Sequence, residues 1–206
     1  TAGAPLQQWS VDLGEPEAAA RRLGEWLAGL DATRYASVTL INNAGVIPQI
    51  APLSQLRPAD IAQAMRVGLE APMLLTAAFL AATEGWTAVP RKVLNISSGL
   101  GRRAIASQAS YCAAKAGMDH FSRSVALDEA LKPHGARICS LAPGVIDTDM
   151  QVQLRSADAA AFPDAGNFAQ LKEGGKLSTP EQAATLVLGW LQRADFGEQV
   201  VADVRQ

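Results

Sequence analysis

The sequence is short of cysteine, of aromatic residues and of charge, and each shortage narrows what it can be. Only two cysteines, Cys112 and Cys139, occur in 206 residues, and neither stands at a metal-ligand spacing. That excludes a disulfide framework and leaves a metal centre without a ligand cluster. Charged residues make up 18% of the chain and its formal net charge is -2, with no basic stripe, which argues against nucleic acid as a partner. No run approaches the roughly 20 uninterrupted apolar residues needed to cross a bilayer. The most apolar stretch, residues 71–82, contains Pro72 and lies between Glu70 and Glu84, so it reads as a buried helix. The opening string TAGAPLQQW has neither a basic segment nor an apolar signal core. A soluble, reduced, cytoplasmic protein is the expectation, with no membrane and no metal. Seventeen glycines and eleven prolines are too few for a collagenous or low-complexity chain, and a 49% hydrophobic share excludes a disordered one. The length suits one α/β domain.

What is present is an alternation of short apolar runs and helical stretches. Residues 6–13 (LQQWSVDL) alternate like a strand, and 15–30 place Leu23, Trp26, Leu27 and Leu30 at helical spacing. Strands are expected at 37–41, 92–96, 136–141 and 199–204. The continuous apolar run at 37–41 suits a parallel sheet covered on both faces. Residues 58–84 read as two helical pieces or one bent helix, with Pro58 at the start and Pro72 as a kink. A helix is expected at 110–131. The last helix, running to Gly197, starts with Thr179, Pro180 and Gln182 in the pattern of a capping box. Residues 145–177 read as mixed and loop-like. Strands alternating with helices give a doubly wound parallel sheet of the Rossmann type, in three αβα layers.

The chemistry concentrates in three side chains. Ser98 ends one strand, Tyr111 follows thirteen residues later, and Lys115 lies four beyond Tyr111. On a helix, Tyr111 and Lys115 share one face a turn apart. A cation there favours tyrosinate and draws the phenol toward working pH. Such a phenol gives a proton to a carbonyl oxygen or takes one from an alcohol, while a serine hydroxyl holds the same oxygen. The set has no hydride source of its own and calls for a nicotinamide cofactor. Taken singly, each piece is ordinary: a Tyr–Lys pair on a helix surface, or turns at Ser97-Ser98-Gly99, at NNAG and at Pro143-Gly144. Their order places every one at the carboxyl end of an expected strand or the start of the next helix, where open α/β sheets bind ligands.

In that order the sequence resembles the short-chain dehydrogenase/reductase family. The matching strings are VDL (11–13), NNAG (42–45), VLNISS (93–98), ASYCAAKAG (109–117) and APGVIDT (142–148). The resemblance implies roles position by position. Ser98 polarises the substrate carbonyl, Tyr111 donates the proton, and Lys115 binds the nicotinamide ribose and lowers the tyrosine pKa. Asp12 and Leu13 meet the adenine, and Asn43, Ala44 and Gly45 pass beside the adenosine ribose. Pro143, Gly144, Val145 and Thr148 hold the nicotinamide and its carboxamide. The string APGVIDTDMQ, with LKEGGKL and GEQVVADV after it, is most similar to the sepiapterin reductase and benzil reductase branch. That branch implies reduction of carbonyls, vicinal dicarbonyls among them, with NADP favoured over NAD. Residues 150–177 would form the flap over the substrate. In the family, the helices at 58–84 and 110–131 build homodimers or homotetramers, and both carry more apolar surface here than one core needs.

Two departures stand out. The family Asn after the NNAG strand is replaced by Gly68 in Val67-Gly68-Leu69, and the expectation is that water fills the space and keeps the proton relay working. The glycine-rich turn of the first strand does not occur either. The strand at 6–13 would then have no neighbour, the strand at 37–41 would become an edge, and a preceding βαβα segment of roughly 45 residues is expected in the parent polypeptide. These departures support a binding or regulatory protein without turnover as the alternative. A serine hydrolase is poorly supported, because Ser98 lacks a Gly-x-Ser-x-Gly elbow and His120 and His134 read as surface or packing residues.

Overall fold

In the computed structural model, which describes residues 5–206, the first regular element is α1 (Pro16–Ala28). Residues 1–4, the start of the string read for a leader, lie outside the described residues. Pro16 opens α1 where a missing N–H costs nothing, and Glu17 complements the positive end of the helix. Four strands follow: β1 (Val38–Asn42), β2 (Arg91–Ile96), β3 (Arg137–Ala142) and β4 (Val201–Asp203). They form one parallel sheet in the order β1-β2-β3-β4. β2 and β3 are central and buried almost throughout, as expected for inner strands of a parallel sheet.

Neighbouring residues of β2 point to opposite faces, and each face has its own core. Val93 packs with Ile138, with Leu27 of α1 and with Phe79. Leu94 packs with Cys139, Leu141, Phe196 and Trp190 on the other side. Trp190 belongs to α7 (Pro180–Gln192), whose first turn is closed by the reciprocal capping box of Thr179 and Gln182. Layers on both faces of a parallel sheet make the Rossmann-type αβα sandwich expected from the sequence.

The stretch from Pro58 to Ala82 is one continuous helix rather than two. It comprises α2 (Pro58–Met65), a π-helical segment at Arg66–Glu70 and α3 (Ala71–Ala82). Pro72 has no N–H to give the carbonyl four residues back, so the ladder must be interrupted near it. The interruption takes the form of a wide turn in which the Ala71 N–H reaches the Arg66 carbonyl. By length and composition this is the one helix among the described residues that could cross a membrane. Its packing against α1, β1 and α4 (Ala109–Ala130) makes it a core helix of the sandwich.

Three expectations need correction. Residues 6–13 form no strand, because no ladder partner lies beside them. They run irregularly over α1, where Trp9 meets the ring of Trp26 edge-on at 5.4 Å and Arg22 sits over Trp9 at 4.6 Å. Residues 145–177 are not mainly loop, since α5 (Asp149–Arg155) and α6 (Ala165–Glu173) lie within them. The last helix stops at Gln192, and Gly197, at φ 89°, turns the chain into β4.

Gly68 is also not a gap for water. It is buried in the π-helical segment, and a Cβ built on it would fall 2.9 Å from the Cβ of Ala114 on α4. Contact between the two helices fills the place. Gly68→Asn is therefore expected to destabilise the protein by about 1–3 kcal/mol, the usual cost of overpacking a closed interface. Urea denaturation measures it, and adding Ala114→Gly should recover part of the loss as a coupled pair.

Candidate active site

The parallel register brings the carboxyl ends of the strands to one rim, with Asn42 beside Asn95 and Ile96 beside Leu141. A buried chain of amides and hydroxyls fixes this rim. Asn42 Nδ2 donates to Asn95 Oδ1 at 2.8 Å, and Asn95 Nδ2 donates to Ser122 Oγ on α4 at 2.9 Å. Each such bond contributes about 1 kcal/mol, and losing one partner would cost more.

Beyond β2 the chain enters a tight turn at Gly99–Gly101, capped by Ser98 Oγ, which accepts from the Leu100 N–H at 3.1 Å. α4 then crosses behind this turn and presents Tyr111 and Lys115, both buried, on its inner face. Lys115 Nζ donates to the Ile96 carbonyl at 2.7 Å and lies 5.9 Å from the centre of the Tyr111 ring. Ser98 is the neighbouring side chain that favours the Tyr111 anion. The three candidate catalytic residues therefore line one cleft of about 1050 Å³.

The electrostatics differ from the sequence expectation in one respect. Burial pushes the Tyr111 phenol up rather than down, and the neighbouring Ser98 hydroxyl only partly offsets it. The ammonium of Lys115 is held on the carbonyl of Ile96, not on the phenol oxygen. Lys115 is itself lowered to about 8 by burial, with the Asp119 carboxylate opposing the drop.

Most residues expected to hold the nucleotide line the same cleft. Asn43 and Gly45 follow β1, while Pro143, Gly144, Val145 and Thr148 follow β3. Gly144 has φ 85°, a backbone state glycine adopts freely, and it turns the segment along the cleft. Asp12, Leu13 and Ala44 are not in this lining. Asp12 caps the approach to α1, accepting the Gly14 N–H at 2.7 Å. The donor set suits the nicotinamide half of a dinucleotide. Lys115 spends one of its three N–H donors on Ile96, and Gly45 adds no side chain beside its ammonium, since a Cβ there would still stand 3.8 Å off.

The far wall comes from the flap. Its ends are stitched by a parallel bridge between Ile146 and Ser178, in which the Asp147 N–H donates to Ser178 O and the Ser178 N–H to Val145 O, both at 3.0 Å. The Asp147 carboxylate takes Arg155 of α5 and Lys172 of α6 together. Leu154, Phe162 and Ala165 form a small core under the flap, against Ile47, Ile50 and Ile105. Ser107, at φ 59°, ties the loop before α4 to the flap through the Ala161 carbonyl.

Sequence reasoning missed the layer behind the catalytic residues: Ser97, Arg102, Asp119 and Ser140. The signal was there, because Asp119 continues the four-residue spacing of Tyr111 and Lys115 along α4. His120 and His134 are exposed, as expected.

A rim of strand ends carrying a serine, a tyrosine and a lysine four residues apart is the arrangement of a short-chain dehydrogenase. The short chain dehydrogenase family profile matches residues 13–159, and the chain belongs to that family. Among curated relatives it is similar to a benzil reductase ((S)-benzoin forming) of Bacillus cereus, 34% identical over 196 residues, covering 94% of this chain and 78% of the relative. It is also similar to the sepiapterin reductase of Xenopus tropicalis, 30% identical over 196 residues, covering 92% of this chain and 71% of the relative. Among solved structures, a metagenomic short-chain oxidoreductase in complex with NADP superposes with a TM-score of 0.67 at 25% identity, covering 98% of this chain and 73% of that one.

Two measurements check the electrostatics. Without added nucleotide, alkaline titration followed by phenolate absorbance should contain a step above the ordinary tyrosine range that Tyr111→Phe removes. Asp147, held below the usual carboxylate range first by Lys172 and then by Arg155, keeps its ion pairs at any pH above that range and loses them as pH falls through its lowered value. Protection factors of the amides of residues 149–173, with the intrinsic pH dependence of exchange divided out, should therefore stay flat from pH 9 to about pH 5 and fall only in stronger acid.

Proposed function

We propose that this short-chain dehydrogenase is a nicotinamide-dependent carbonyl reductase acting on ketones or vicinal dicarbonyls, and in reverse on the corresponding alcohols. The observation that carries the proposal is the meeting of Ser98, Tyr111 and Lys115 at the wall of one open cleft. A nicotinamide nucleotide, when bound, supplies the hydride. The side chains do the rest. Ser98 donates a hydrogen bond to the substrate carbonyl oxygen and holds it beside Tyr111. Tyr111, neutral at physiological pH because it is buried, delivers its proton to that oxygen as negative charge develops there. Lys115 offers its free N–H donors to the nucleotide ribose and places its positive charge where it stabilises the tyrosinate left behind.

The apolar side chains of Ile47, Leu154 and Phe168 in the cleft suit a substrate with hydrocarbon or aromatic arms, and benzil reductase among the relatives supports a dicarbonyl. NADP is the cofactor we favour, a choice supported by the NADP complex of the metagenomic relative. Association into a homodimer or homotetramer belongs to the same proposal. It is supported by Leu127 and Leu131, which leave 71% and 86% of their surface exposed at the end of α4. A cytoplasmic setting fits the two free thiols, and no nucleic acid, membrane or metal enters the scheme.

Tyr111→Phe keeps the ring and removes the proton. Turnover of benzil with NADPH is expected to fall by about 100-fold or more, the usual contribution of a positioned general acid. Undiminished turnover in the variant would refute the assignment, and absence of turnover in the parent chain would favour a binding protein.

A further inference from the structure

One turn further along the catalytic face of α4 sits a carboxylate that the reaction scheme does not use. Asp119 is only 2% exposed. Its Oδ1 accepts from Ser97 Oγ at 2.6 Å and from Ser140 Oγ at 2.7 Å, and its Oδ2 accepts from Arg102 Nε at 3.0 Å. One side chain thus ties α4 to the end of β2, to β3 and to the turn that follows β2. The fit is close, for a Cβ on Gly101 in that turn would come within 2.9 Å of the Lys115 carbonyl and 3.1 Å of Asp119 Oδ2. Ser97 immediately precedes Ser98, and Ile96, which accepts from Lys115, immediately precedes Ser97. Desolvating an ion costs several kcal/mol, and these three donors offset that cost at Asp119.

We propose that Asp119, with Arg102 as its outer partner, is a positioning residue for the reaction: it fixes the strand end that carries Ser98 and supplies the negative field that keeps Lys115 cationic. This rests on the reading of Ser98, Tyr111 and Lys115 as the catalytic set. Asp119 lies one helical turn beyond Lys115 on the same face. The other charged groups on elements packed against this part of α4 are committed elsewhere or face solvent. Asp203 is paired with Arg205 and Asp60 with Arg57, while Arg66, Glu70 and Arg103 are exposed. Burial alone drags Lys115 down toward working pH, and the Asp119 carboxylate is the group that opposes it. Arg102, 31% exposed, partly neutralises Asp119 and so acts in the opposite direction.

The two partners therefore make predictions of opposite sign. The chain has five lysines, and their side-chain carbons labelled with ¹³C at Cε report each ammonium's titration by NMR, with Lys115→Arg identifying the Lys115 signal. In D119N the Lys115 midpoint should fall by about one pH unit, and in R102Q it should rise, because the first loses a nearby negative charge and the second a nearby positive one. The pH at which turnover declines on the alkaline side should move the same way in each variant. A scaffold residue would lower the melting temperature in D119N and leave the Lys115 midpoint where it is in the parent, which overturns the proposal. Should D119N fail to fold, R102Q decides alone, and an unmoved or lowered midpoint there overturns it equally. The titration reads Lys115 directly, whereas Tyr111→Phe reads turnover, so a failure of the catalytic reading and a failure of this inference appear in different measurements.

Discussion

The site depends on how tightly α4 is held against the end of β2. Lys115 makes the contact itself, through its bond to the Ile96 carbonyl at 2.7 Å, and Asp119 repeats it one turn further along through Ser97. On the opposite flank the missing side chain at Gly68 lets the π-helical segment approach Ala114 to within a single carbon's width. A helix squeezed from both flanks has little freedom to slide. Tyr111 and Ser98 belong to different elements, and a displacement of about 1 Å would part them and misplace the reacting groups. Rigidity of the scaffold is what turns a phenol, a hydroxyl and an ammonium into a pre-organised group.

Burial sets the working state of that group. Removing Tyr111 from water disfavours its anion, so the phenol stays protonated and ready to give its proton to a carbonyl. The same burial weakens the ammonium of Lys115, and a carboxylate one turn away opposes that loss. The cleft thus joins a strengthened hold on one proton to a moderated hold on another. Neither could be read from residue types, because exposure and neighbours decide both.

Much of the architecture was legible in the sequence. Strands β2 and β3 were visible in the alternation of strand-like and helical stretches, and the cap of α7 was explicit in Thr179, Pro180 and Gln182. The site trio was legible for a related reason, since strand ends and helix starts leave turn residues behind them. What escaped were features governed by contacts distant in sequence. Residues 6–13 alternate like a strand, yet alternation supplies no hydrogen-bonding partner. Gly68 read as a gap because the sequence does not say which helix lies against it. The helices α5 and α6 were hidden by short length and weak periodicity, and their small core is completed by Ile47, Ile50 and Ile105 from elsewhere in the chain. Asp119 was visible by its spacing, but its partners Ser97 and Ser140 come from two strands and meet it only in the folded chain.

The bridge between Ile146 and Ser178 gives the flap an independence the sheet does not share. Because the chain leaves and returns through one pair of hydrogen-bonded neighbours, everything between them is a closed excursion whose ends stay put whatever lies between. Loop-closure entropy changes only slowly with length, so such an excursion can lengthen or shorten at small cost to the sheet wherever its contacts with Ile47, Ile50, Ile105 and Ser107 are kept. Exchanging that segment would reshape the far wall of the cleft and leave Ser98, Tyr111 and Lys115, carried by β2 and α4, where they are.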